Sequence, residues 1–545
     1  MITRLLVILS IVLSFNLYSY SSCSYSSIIV RQSMDFSKFL SAKNTKYIIK
    51  NDINLGGKVV KIGEGCKIEF KGGSLCNGTL VGNNTALETT KRNVFHNCSI
   101  RGTWITKCAY SSMFDENLEA MLLLHNMSNL SPVIKLSANR RYDINVQGDE
   151  LVIESIIAEG VEKPTLYFHT KNPNILGIKF IGEDVFIRNL IIIDDYQPSN
   201  DVKYGNNDIT RGGTIGVVSS KGIVNSLKIE GCEFKGGTSS SFIASSQVRE
   251  CLVENCLFSG YMADHAVYCS TKIEKYEVRK CLVKDVVHTT GLFKVRTSRN
   301  LILYSLNHIT AHNLNGYMTV ASLLESPNAK LLFEDINVTK DSDNKSVFYG
   351  FCITDETKTL EDLGRFNAEE LSISNCRFAY GYNGAPIVYP GSGKRVCVNT
   401  TRFVDSQFVD SNFGGICSNN LVVNNCRLYN CCGEKGILIA SKVSNITNSY
   451  ISRKGFNSIN YLFHINYSSS ISKLFTLNNL DIDIILNNLC RIDQSESLNI
   501  EIKKCNISEL NRNVIFQNKN SKVKYNLDKL MIKKRGSLSK VVGVF

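Results

Sequence analysis

Short stretches of alternating apolar and polar residues recur along most of the chain, each closed by Asn-Cys or a close variant and then another apolar residue. The motif reads Gly231-Cys232-Glu233-Phe234, Asn255-Cys256-Leu257-Phe258, Lys280-Cys281-Leu282-Val283, Asn375-Cys376-Arg377-Phe378, Asn425-Cys426-Arg427-Leu428 and Lys504-Cys505-Asn506-Ile507. Its first three cysteines are 24 and 25 residues apart, and Cys376 to Cys426 is 50, or two repeats. Leu306 falls 25 after Cys281 and Ile336 falls 30 after that, so the period continues where no cysteine stands. Alternation with period two is a strand signal. Three short strands and three turns need about this many residues to complete one coil, and in-register coils place like residues above like. Asn at the bend tolerates a left-handed backbone and can pair its amide with the next coil. A second strand precedes each Asn-Cys turn, as in Gly216-Val217-Val218, Phe242-Ile243-Ala244, Ala266-Val267-Tyr268, Phe293-Lys294-Val295, Gly415-Ile416-Cys417, Leu438-Ile439-Ala440 and Leu462-Phe463-His464. The Leu-x-x-Leu-x-Leu framework of leucine-rich repeats is absent and helix-forming segments are nearly missing. The expected fold is all-β: a right-handed single-stranded parallel β-helix, or solenoid, with an N-terminal capping region and one short capping helix.

The ends of the chain depart from this period. One basic residue, Arg4, precedes an apolar run from Leu5 to Leu17 and a small, polar stretch from Ser19 to Ser27, the order of a cleavable signal peptide over 1–22. Cys23 follows small residues and is a candidate for lipidation, although Tyr20 stands where a lipobox prefers Leu. Later segments hold no comparable apolar run, so no transmembrane segment is expected in the mature chain. Residues 23–110 read as a Gly-punctuated β-rich region. The segment from Asp115 to His125, with an acidic first turn and an apolar stripe, reads as a capping helix near 115–128. The parallel β-helix is expected over 111–518. Residues 519–545 form a basic last rung or cap, with eight Lys or Arg between Lys519 and Lys540 against the single Asp528.

Composition narrows the partners. A formal charge of +13 favours an anionic one, and for an exported chain the expectation is acidic polysaccharide rather than nucleic acid, at a secreted, periplasmic or cell-surface location. Nineteen cysteines would ordinarily suggest disulfides in such a compartment. Most fall at one point of the repeat, however, where they stack as small buried residues pointing the same way, so free thiols are expected. Cys431 and Cys432 are adjacent, so one must face outward.

The segment Val133-Ile134-Lys135-Leu136-Ser137-Ala138-Asn139-Arg140-Arg141-Tyr142-Asp143-Ile144 resembles the opening segment of the pectate-lyase-like β-helix superfamily, with Asn139-Arg140-Arg141 replacing its Gly-containing bend. The stretch Phe70-Lys71-Gly72-Gly73-Ser74-Leu75 with Gly78-Thr79-Leu80-Val81-Gly82-Asn83-Asn84-Thr85 is similar to the N-terminal part of exported bacterial β-helix proteins that degrade or bind glycans. The resemblance covers residues 45–520 and implies the fold. It leaves the activity open, because the superfamily holds lyases, hydrolases, epimerases and non-catalytic adhesins.

Strand alternation nominates the chemistry. Burying Phe293 and Val295 sends Lys294 and Arg296 to one outer face, and burying Ala266 and Tyr268 sends His265 to the same face, with Arg299 beside them. A polysaccharide lyase needs such a cation to neutralise a uronate carboxylate, and a Lys, Arg, His or Tyr base. The second candidate is the pair Asp194 and Asp195, after the apolar run Leu190-Ile191-Ile192-Ile193 and before an insertion that holds Tyr196 and Tyr204 as substrate-binding residues. Paired carboxylates suit acid/base hydrolysis, or hold Ca²⁺ through oxygen ligands. The pair resembles the Asp-Asp of β-helix polygalacturonases without their Gly-His and Arg-x-Lys companions. No zinc-type Cys/His spacing, phosphate-cradling Gly loop or Gly-x-Ser-x-Gly elbow occurs. The sequence therefore supports an exported carbohydrate-active protein acting on an acidic polysaccharide by β-elimination or hydrolysis, or a non-catalytic glycan-binding or adhesion module. The long intervals 190–232 and 336–376 are expected to extrude loops, 195–213 and 355–367, that wall a groove.

Overall fold

The computed structural model describes residues 25–544 apart from 35–39, 89, 107, 116–132, 145–148, 153–154, 171–175, 197–212, 220, 239, 297–299, 324–325, 356–367, 381–386, 389–397, 411–417, 432–436, 440, 442, 454–457, 466–472, 494–496, 518–521 and 537–539. The chain divides into two compact units, Met1–Ser137 and Ala138–Phe545. Both units are all-β, and their paired strands run parallel.

In the first unit, Ser26–Val30, Thr45–Ile49, Lys67–Phe70, Leu75–Leu87 and Phe95–Ile105 form one parallel sheet. Tyr47, Ile49, Ile68, Phe95 and Trp104 are buried, and Phe95 stacks on Phe114 at 5.0 Å. A 3-10 turn, Ser111–Phe114, ends at Asp115, whose left-handed backbone (φ 55°) stops it. The capping helix near 115–128 falls on 116–132 and so lies outside the described residues, as do the signal peptide, Cys23 and the loops 197–212 and 356–367.

The second unit is built from long parallel ladders. One line of strands, Asp149–Val152, Leu176–Ile181, Gly213–Val218, Ser241–Ser245, His265–Ser270, Phe293–Arg296, Gly316–Leu323, Phe348–Asp355 and Ile387–Val388, makes a nine-stranded sheet. The remaining strands from Arg141–Ile144 to Lys540–Val544 form the larger parallel ladders, the basic tail included. Register is tight: Phe234 pairs with Phe258 and Phe258 with Val283, and the two Phe rings stack at 5.0 Å. Ile191 pairs directly with Glu233, and Asn337 with Arg377, so neither long interval hides another repeat.

The residue at each bend carries the register. Asn189, Asn255, Lys280, His308, Asp335, Asn375, Asp405, Asn425, Asn448, Asn479, Lys504 and Lys529 all have φ between 50° and 56°, and Gly231 stands in the same column at 64°. Short polar side chains there bond to the next repeat: Asn425 donates to Asp405 at 2.7 Å and Asn479 to Asn448 at 3.0 Å. The carbonyl before the left-handed residue accepts the bend N–H of the neighbouring repeat, as Glu254 O does from Gly231 N–H at 2.9 Å, and the side chain after the bend adds a second bond to it. Cys256 Sγ donates to Glu254 O at 3.2 Å and Cys376 Sγ to Ser374 O at 3.1 Å. Ser406 and Ser449 make the same bond at 2.8 and 2.7 Å. Ile309, not Leu306, continues this column after Cys281, since Thr310 N–H bonds to Cys281 O while Leu306 pairs with Val278. The interval is therefore 28 residues, three more than the period predicts. Every described cysteine is a free thiol; Cys232, Cys256, Cys281 and Cys431 are buried, and Cys432 lies outside the described residues.

Candidate functional site

His265 does not reach the outer face. In the strand His265–Ser270 the register Ile243↔Val267↔Phe293 places Val267 and Cys269 inside, and by parity His265 with them. His265 is 5% exposed; burial first, and the Lys294 charge second, push its pKa down to about 3, and its Nδ1 lies 2.7 Å from Gly291 O. The parity read from the sequence failed because Ala266 is buried as well, at the bend where the strand begins. Tyr268, expected inside, is half-buried on the outer face, where Lys294 Nζ sits 5.3 Å from its ring centre. Lys294 pairs with Tyr268 and Arg296 with Ser270, so the two cations share a face with Tyr268 and not with the histidine. Arg299 and Tyr204 lie outside the described residues.

Asp194 and Asp195 are separated by the pleat. Asp194 is 1% exposed and accepts hydrogen bonds from Thr214 Oγ1 at 2.7 Å, Thr170 Oγ1 at 2.9 Å and Tyr196 N–H at 3.1 Å. Burial lifts its pKa to about 6, against the pull of those three donors. Asp195 faces outward and belongs to a different set of groups. Its Oδ2 is 2.6 Å from His169 Nδ1, while His169 Nε2 is 3.1 Å from Asp143 Oδ1. Arg141 donates to the same Asp143 oxygen from Nε at 2.9 Å and from Nη2 at 2.6 Å, and its guanidinium lies 3.8 Å from the Tyr167 ring centre. The Tyr167 and His169 rings are 4.9 Å apart. Among the described residues no group of three or more His, Cys, Asp or Glu is arranged to hold a metal ion.

The electrostatics follow from contact. Hydrogen bonds to the Asp195 carboxylate first, and to Asp143 second, stabilise the charged imidazole and raise the His169 pKa. Arg141, then His169, hold Asp143 below the usual carboxylate range. Arg141, Asp143, Tyr167 and His169 were missed as site residues in the sequence. Two period-two pairs, Arg-x-Asp and Tyr-x-His, were visible there. Only the pairing Asp143↔Tyr167 brings them together, and register is not local information.

The row continues along the sheet, as Asp195 pairs with Gly237, Gly237 with Tyr261 and Tyr261 with His288. Tyr261 stacks on His288 at 5.8 Å, and burial lowers the His288 pKa. Gly237 is required for approach: a Cβ there would overlap the Tyr196 carbonyl oxygen. The chain matches no family model, and comparison with curated proteins and with solved structures gives no match either.

Proposed function

We propose that the chain is an exported right-handed parallel β-helix that acts on an acidic polysaccharide, at the outer row that begins with Arg141, Asp143, His169 and Asp195. The parallel ladders with a period near 25 residues support the coil, and the order of residues 1–22 supports export, with Cys23 as a candidate lipid anchor. One observation carries the activity: a histidine held between two carboxylates stands beside an arginine that is stacked on an aromatic ring.

That arrangement favours β-elimination over hydrolysis. A uronate carboxylate exchanging with Asp143 on Arg141 would have its charge neutralised, which acidifies the neighbouring C–H. His169, oriented by Asp195, then takes the proton in its neutral form and returns it to the leaving oxygen. Hydrolysis needs a protonated carboxylic acid within reach of the substrate; Asp143 is held on the ionised side, and Asp194, whose pKa is raised to about 6, is 1% exposed. Incubation with a panel of uronate-containing glycans, following unsaturated products and reducing ends, tests the reading. Unsaturated products are expected, with His169→Ala slowing their release roughly 100-fold or more. Binding without cleavage, unchanged in that variant, overturns the catalytic reading.

A non-catalytic surface glycan-binding or adhesion module is the second reading. It is favoured by Tyr268, Lys294 and Arg296, which decorate a separate sheet face while His265, the base nominated for them, lies inside.

A further inference from the structure

A second constellation of the same composition stands far along the unit. Strand Ile459–Ile465 pairs with Asp481–Ile492, with His464 opposite Arg491. His464 Nε2 lies 2.6 Å from Asp493 Oδ2, and Arg491 Nε donates to Asp493 Oδ1 at 2.9 Å. The Arg491 guanidinium is 5.4 Å from the Tyr461 ring centre, and the Tyr461 and His464 rings are 5.1 Å apart. Tyr, Arg, Asp and His thus touch in the same closed order as Tyr167, Arg141, Asp143 and His169. The chain order is reversed, with Arg-x-Asp preceding Tyr-x-His at the first place and following Tyr-x-x-His at the second. A copied repeat unit would have kept that order, so the resemblance lies in the surface chemistry and not in the repeat.

We propose that Tyr461, His464, Arg491 and Asp493 form a second site for an anionic saccharide, resting on the reading above that acidic polysaccharide is the partner. Arg491 is 32% and Asp493 21% exposed at the side chain, so the guanidinium is reachable from solvent. Asp493 accepts from both Arg491 and His464, as Asp143 does from Arg141 and His169. A ligand carboxylate or sulfate group offers the same bidentate acceptor and can exchange with Asp493 on the guanidinium. Tyr461, whose ring centre lies 5.4 Å from the Arg491 guanidinium, adds a cation–π contact that helps hold it.

Ten successive pairings separate the strand Thr165–Phe168 from the strand Tyr450–Ser452 that precedes His464. At roughly 4.8 Å per parallel neighbour the two sites are separated by about 50 Å along the direction in which the strands stack. A long polyanion would engage both, and the second contact would be intramolecular, raising avidity without any new chemistry.

Calorimetric titration of the full chain with a uronate trisaccharide, a sulfated trisaccharide and a long polyuronate tests the assignment. Two trisaccharides per chain are expected for the wild type and one for Arg491→Ala, with polymer affinity falling at least tenfold and the thermal midpoint held. Whether the carboxylate or the sulfated probe binds identifies the anion. A dicarbonyl reagent that modifies arginine should label Arg491 in the wild type, with the trisaccharide protecting it; this needs no variant to fold. One trisaccharide per chain, lost in Arg141→Ala and untouched in Arg491→Ala, overturns the second site and leaves the first standing. Absence of binding by either probe at either site overturns both, as does unprotected Arg491 for the second alone.

Discussion

Thr214 Oγ1 donates to the buried Asp194 carboxylate across 2.7 Å, from a strand twenty residues further along the chain, and a second hydroxyl, Thr170, reaches the same oxygen. Even so, burial outweighs these bonds and lifts the Asp194 pKa to about 6 from 3.8. A raised folded pKa gives stability that is complete below 3.8 and is lost as pH rises through 6. Asp194→Asn keeps the shape and removes the charge, and both hydroxyls can turn to suit an amide. The variant should gain about 1–3 kcal/mol relative to wild type between pH 4 and pH 8. Thermal melts at both pH values check this; a variant that loses ground at pH 8 relative to pH 4 would show that the carboxylate is ionised without penalty.

His265 gives the opposite slope. Its folded pKa is depressed to about 3, so its contribution is whole above 6.5 and is lost as pH falls toward 3. In that window the loss approaches about 1.4 kcal/mol per pH unit. Asn can replace the donor to Gly291 O without titrating, so His265→Asn should flatten the acid limb of a plot of stability against pH. An unchanged acid limb would place the responsible group elsewhere. His169, near the surface with a raised pKa, has the reverse sign: its contribution is present below 6.5 and is lost as pH rises.

These two side chains also mark where the sequence stopped being legible. Period-two alternation and the spacing of Cys232, Cys256 and Cys281 were enough for parallel strands in register, because stacking identical positions is a local rule applied many times. Parity at a bend was not readable: Ala266 and His265 are buried together, which alternation forbids. Three extra residues before Ile309 could not be placed either, since Leu306 fits the same apolar pattern. The cluster around His169 depends on which strand lies beside which. Arg141 and Asp143 looked like ordinary outward residues until the register set them beside Tyr167.

The thiol column makes a chemical prediction. Burial raises the pKa of Cys232 and Cys256, so few thiols should react with an alkylating reagent until denaturant is added. Ser406 and Ser449 already occupy the equivalent place and bond to the equivalent carbonyl, so Cys256→Ser should cost no more than about 1 kcal/mol. Cys256→Ala, which removes the second bond to Glu254 O and the volume of the buried thiol, should cost more. Denaturant titrations would decide the order, and mass spectrometry finding a Cys232–Cys256 disulfide would contradict the column.

Gly237 offers a way to disturb the site without touching any titrating group. Any Cβ there overlaps the Tyr196 carbonyl oxygen, and that oxygen belongs to the segment that carries Asp194 and Asp195. Backbone cannot rotate away as a side-chain tip can, so Gly237→Ala must push residues 194–196 outward, at about 1–3 kcal/mol. The displacement lengthens the 2.6 Å contact between Asp195 and His169 and weakens the bond from Tyr196 N–H to Asp194. The His169 pKa, measured by NMR titration, should therefore fall toward 6.5 in Gly237→Ala, and stay raised in Gly222→Ala, where the nearest atom is 3.9 Å away and only the positive φ is strained. Equal His169 pKa values in the two variants would mean that Asp195 is held by something other than the close approach of Tyr196 to Gly237.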